Sequence, residues 1–69
     1  MQGVYCGGGT ELRHHATNGT DEKDFNGVTL DSDDALTVLA AEEVEGQLFY
    51  RVRYGRKQGW LKAQYFKHA

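Results

Sequence analysis

Hydrophobic and polar positions are sorted most clearly in the second half of the chain. Val28-Thr29-Leu30, the polar stretch Asp31-Ser32-Asp33-Asp34 and then Ala35-Leu36-Thr37-Val38-Leu39 predict two strands joined by a turn, because β-branched residues recur with partial two-residue alternation. Leu48 to Tyr54 alternates more strictly, with Tyr50, Val52 and Tyr54 on one face and Phe49, Arg51 and Arg53 on the other. That pattern predicts a strand with one dry and one mostly wet face. Gly55-Arg56-Lys57-Gln58 reads as a tight polar turn, and Gly59-Trp60-Leu61 opens the returning strand of a hairpin. Ala63-Gln64-Tyr65-Phe66 predicts a short helical turn followed by a last strand. Between the two clear segments, Ala40 to Glu45 contains good helix formers, but Gly46 ends the run far short of the roughly 12 to 15 residues an isolated helix needs. It is expected to be an acidic loop.

Residues 1 to 27 are punctuated by Gly7-Gly8-Gly9, Asn18-Gly19 and Asn26-Gly27, which predicts a long irregular loop with short extended pieces at Val4-Tyr5-Cys6 and Thr10-Glu11-Leu12-Arg13. Short strands and turns with no long helix imply an all-β domain, and at this length a small barrel of about five strands that closes its own edges is the expected architecture. The 69 residues make one domain, 1–69, and a chain of this size buries only about 60% of the surface its unfolded form exposes. Its margin of stability is therefore thin. Apolar residues are 39% of the chain and aromatics 12%, more than a disordered segment carries. No apolar run approaches the roughly 20 residues that span a bilayer, and the N-terminus lacks the basic and apolar regions of a signal peptide. With Cys6 as the single cysteine, no internal disulfide forms, so the expectation is a soluble chain in a reducing, cytoplasmic compartment.

Charge adds an asymmetry that the net value of −2 conceals. All ten carboxylates lie at or before Glu45 and six of the eight Lys and Arg lie from Arg51 onward, which gives −8 to residues 1–50 and +6 to residues 51–69. Either the basic segment is a charged binding face, or acidic and basic segments neutralise each other in the fold.

Phe49-Tyr50-Arg51-Val52-Arg53-Tyr54, a turn, Gly59-Trp60-Leu61 and then Tyr65-Phe66 resemble the closing half of Src-homology-3-like (SH3-like) domains, the bacterial variety most closely. The segment Val28 to Leu39 is similar to the strand, polar diverging turn and strand of the same family, so the likeness covers residues 28–66. Residues 1–27 would then supply the first strand and a long loop. The resemblance implies a protein-protein interaction or targeting module with an aromatic groove formed by Phe49, Lys62 and Tyr65, with Trp60 beside it and Tyr5 contributing. In eukaryotic members such a groove holds a proline-rich peptide. Here the customary tryptophan is Phe49 and the customary proline is Lys62, so the wall is flat and apolar but lacks an indole N–H donor. The bacterial likeness carries a further alternative, attachment to cell-wall material. The module is expected to act as a monomer or as part of a larger chain, without a cofactor and without a membrane.

Other chemistries find less in the sequence. His14-His15 and Cys6 are zinc-ligand types, but adjacent histidines on an extended segment point to opposite sides and a fourth ligand is missing, so no metal is expected. Cys6 before a glycine run lacks a positioned base, and Gly7-Gly8-Gly9-Thr10 lacks the lysine and helix of a phosphate loop. No base, nucleophile and orienting group occur together, so the chain reads as a non-enzyme. The rival to peptide recognition is nucleic-acid binding by the basic hairpin, through Arg51, Arg53, Arg56 and Lys57 with nearby aromatics.

Overall fold

The computed structural model describes residues 1–7, 10–19 and 21–68; Gly8 and Gly9 of the glycine run lie outside them. Seven strands are present: β1 (Gln2–Tyr5), β2 (Thr10–Arg13), β3 (Phe25–Leu30), β4 (Ala35–Val44), β5 (Gln47–Tyr54), β6 (Lys57–Lys62) and β7 (Phe66–His68). They form one antiparallel sheet in the order β3-β2-β6-β5-β4-β1-β7. The chain is therefore all-β, as the alternation implies. The sheet is not closed into a barrel, since β3 and β7 end its ladder, and it has seven strands where about five were expected. Among the described residues no helix is long and apolar enough to cross a membrane.

The extra strands have local causes. The expected acidic loop at Ala40 to Glu45 is instead the second half of β4, which pairs with β5 as far as Val44 opposite Gln47. Glu45 and Gly46 both adopt positive φ, at 52° and 80°, so a two-residue turn of the hairpin-favouring hand closes the ladder immediately. With pairing available that close, Ala40-Ala41-Glu42-Glu43 gains backbone hydrogen bonds that a loop would leave to water. At the other end of β5, Tyr54 pairs with Lys57, so the turn is only Gly55-Arg56, and Lys57 and Gln58 belong to β6. The N-terminal segment is also more ordered than its glycines suggest. β2 pairs with β3 on one side and meets β6 through Arg13 opposite Trp60 on the other.

Each strand sends one residue into a single core: Tyr5, Leu12, Leu30, Leu36, Val52, Leu61 and Phe66, from β1 to β7 in turn. A flat sheet has no common interior for seven strands, so the sheet must coil around these residues. The Cα extents of 28 × 24 × 21 Å agree, because seven flat strands would be about 29 Å wide and only one layer thick. Val28, Val38, Tyr50, Tyr54 and Tyr65 pack against the cluster. The alternation of β5 and β6 therefore places Tyr50, Val52 and Leu61 in the core together with Leu36 and Val38, as expected. Close approach of β2 to β6 depends on Gly59, where an added Cβ would lie 2.6 Å from Leu12 Cβ and 2.7 Å from Asn26 Nδ2. That nitrogen already donates to the Gln58 carbonyl at 2.7 Å.

Candidate functional site

Strand register sorts the outer face into rows. Arg13 on β2, Trp60 on β6, Arg51 on β5 and Ala40 on β4 lie opposite one another in one row. The next row holds Lys62, Phe49 and Glu42, and the row on the other side holds Gln58, Arg53 and Thr37. Residues directly opposite on neighbouring strands share a face, with Cβ atoms about 5 Å apart. Trp60 is thus flanked by two arginines and followed, two residues along its own strand, by Lys62.

The expected wet face of β5 has one dry member. Phe49 is 1% exposed although it lies outside the core cluster, because the 3₁₀ turn Ala63–Tyr65 packs back against β5 and covers it. Alternation predicted a mostly wet face here, and the three-residue turn after β6 makes Phe49 its dry exception by folding back over it. A small cleft results, with Phe49, Trp60, Lys62 and Tyr65 in its lining together with Glu11 and Arg13. Trp60, Lys62 and Tyr65 are half-buried.

Tyr5 occupies a different position from the one the resemblance implies. It is fully buried in the core and lines no part of this cleft, because β1 is held between β4 and β7 with its ring turned inward. Its ring centroid stands 6.1 Å from that of Tyr65, so it supports the cleft wall from behind. Burial pushes the Tyr5 phenol above its usual pKa, and the neighbouring Tyr65 and Cys6 push the same way. The Tyr65 carbonyl accepts a 2.7 Å hydrogen bond from the Cys6 N–H, which ties the turn to the end of β1.

The four basic residues expected to form one nucleic-acid face are divided. Arg51 and Arg53 share the outer face with Trp60, whereas Lys57 faces the opposite way opposite Tyr54 and Arg56 lies in the turn. No direct ion pair links the acidic and basic segments among the described residues, although Glu11 and Glu42 share the outer face with Arg51 and Lys62. Among the described residues the one ion pair is His15 Nδ1 to Asp24 Oδ1 at 2.7 Å, and it involves no Lys or Arg. Glu45 and Arg56 sit in turns at opposite ends of β5, roughly 25 Å apart along an eight-residue strand.

Arg13 is the cleft residue that sequence reasoning passed over. Its guanidinium donates through Nη1 to the Thr17 carbonyl and stands 5.4 Å from the Phe25 ring centroid, a cation–π distance. Both contacts fix a half-buried cation on the β3 side of the cleft that Arg13 helps to line. The available signal was Glu11-Leu12-Arg13, in which an apolar residue between two charges marks a strand with one buried face.

The candidate metal residues go separate ways. His15 is exposed on Asp24, and the Cys6 thiol donates to the Gln64 carbonyl at 3.7 Å. No three His, Cys, Asp or Glu side chains converge among the described residues. A second hollow lies among His15, Thr17, Gly19, Asp21 and Asp24, where Asp24 Oδ2 is buried without a hydrogen-bond partner. Comparison with protein families, with curated proteins and with solved structures found no match to this chain.

Proposed function

We propose that this chain is a non-catalytic recognition module with an SH3-like arrangement of strands, and that it binds an extended peptide segment of a partner protein in the cleft of Phe49, Trp60, Lys62 and Tyr65. The observation that carries this reading is the buried Phe49 floor beneath half-buried Trp60 and Tyr65. An apolar floor with aromatic walls and one cation suits an extended chain, which offers apolar surface and unpaired backbone groups along the same line. The strand, diverging turn and strand at residues 25–44 and the hairpin at 47–62 support the SH3-like reading, as does a sheet coiled around one core.

Nucleic-acid binding is the second reading, favoured by Trp60 lying between Arg13 and Arg51. A single stranded base could stack on the indole while the arginines meet phosphates. The separation of Lys57 and Arg56 from that row weakens it.

Amide chemical-shift titrations with a proline-rich decapeptide and with a single-stranded oligonucleotide test the reading. Peptide-induced shifts at Phe49, Trp60, Lys62 and Tyr65 are expected. Shifts confined to Asp31–Asp34 and β7 would reject the cleft, and a response to the oligonucleotide alone would favour the second reading.

A further inference from the structure

We infer that the cleft selects acidic peptides, specifically an extended segment with two carboxylates three residues apart that reach Arg13 and Arg51 on either side of Trp60. This rests on the peptide-binding reading and adds the chemistry of the ligand. Four cations, Arg13, Arg51, Arg53 and Lys62, occupy adjoining rows of the outer face. None of them pairs with a carboxylate among the described residues, in a chain that has ten carboxylates available. Arg13 is held ready by the Thr17 carbonyl and the Phe25 ring. An oriented guanidinium with donors to spare suits a carboxylate, since its planar fork matches the two oxygens and little side-chain entropy remains to be lost.

Spacing identifies the form of the ligand. The backbone positions of Arg13 and Arg51 are separated by two strand intervals, about 10 Å, with Trp60 between them. A polyproline II chain repeats its side-chain direction every third residue with an advance of about 9 Å, so carboxylates three apart match the spacing of these two positions. The residues between them would lie on the Trp60 indole. Glu11 and Glu42 share this face and limit its positive character to a short stretch. A phosphate backbone, which carries charge at every step, would meet these carboxylates, whereas a peptide with two spaced carboxylates avoids them.

Trp60 is the sole tryptophan, so its fluorescence reports on the cleft directly. The experiment titrates the full chain with blocked Pro-Glu-Pro-Pro-Glu-Pro, with the same peptide carrying glutamine for glutamate, and with a twelve-residue oligothymidylate. The acidic peptide is expected to change the emission saturably. Its affinity should exceed that of the glutamine peptide at least about tenfold and fall as salt rises, as charge-assisted contacts require. Arg51→Gln should reduce acidic-peptide affinity about tenfold, while Lys67→Gln on β7 leaves it unchanged. Equal affinity for the two peptides would overturn the acidic selection and leave the peptide reading standing. Silence of Trp60 toward both peptides at about 1 mM, or tighter binding of the oligothymidylate, would overturn both.

Discussion

The two faces of β5 show how differently one strand can be used. Inward, Val52 is fully buried and Tyr50 and Tyr54 pack against a core to which all seven strands contribute. Outward, Arg51 and Arg53 are exposed and engage no carboxylate among the described residues, and Phe49 alone is buried, beneath the 3₁₀ turn at Ala63–Tyr65. The inner face is determined by folding. The outer face gathers cations that form no ion pair among the described residues around a buried aromatic, and the function proposed above assigns that arrangement to recognition.

Perturbing the inner face should have the largest effect. Leu12→Ala removes a fully buried side chain at the junction of β2 with the hairpin, and it should cost about 3 kcal/mol in urea unfolding. A domain of this size has only about 3 to 10 kcal/mol in hand, so this one substitution should remove roughly a third or more of it. A loss below about 1 kcal/mol would show that β2 packs more loosely than described. Gly59→Ala tests the approach of the same two strands from the other side. Its methyl group would crowd Leu12 Cβ and the Arg13 carbonyl, and a loss of about 2 kcal/mol is expected in the same assay.

A smaller effect is expected from Tyr5. Its phenol pKa is raised by burial in the folded state, so folding favours the neutral form. The contribution is fully present below the unfolded value near 10 and is lost as pH rises through the folded value. Alkaline denaturation followed by circular dichroism should therefore begin above about pH 10, and Tyr5→Phe should make that decline shallower. An unchanged profile in Tyr5→Phe would assign the alkaline loss to other groups.

The same two faces explain how much of the molecule could be read from its residues. Alternation over Leu48–Tyr54 identified Tyr50, Val52 and Tyr54 correctly as core-facing, since two-residue periodicity is a local property. It put Phe49 on the correct face but did not foresee its burial, which depends on a turn that follows β6 and therefore on tertiary structure. Ala40–Val44 was misjudged for a related reason: alanine and glutamate have little strand preference, and pairing with β5 overrides it. In the candidate site, Phe49, Trp60, Lys62 and Tyr65 came from the SH3-like resemblance rather than from periodicity, and the structure brings them to one cleft. Arg13 was not named, because its place beside Trp60 arises from a β2–β6 contact spanning 47 positions that no local pattern encodes.

The central claim is that β5 separates folding from recognition, and adjacent residues on that strand test it most directly. Urea unfolding of Val52→Ala and Arg51→Gln gives the comparison in one measurement. Val52→Ala should lose about 2 kcal/mol, and Arg51→Gln should stay within about 0.5 kcal/mol of the parent chain. If Arg51→Gln loses as much as Val52→Ala, the outer face is part of the folding machinery and the division proposed for it is wrong.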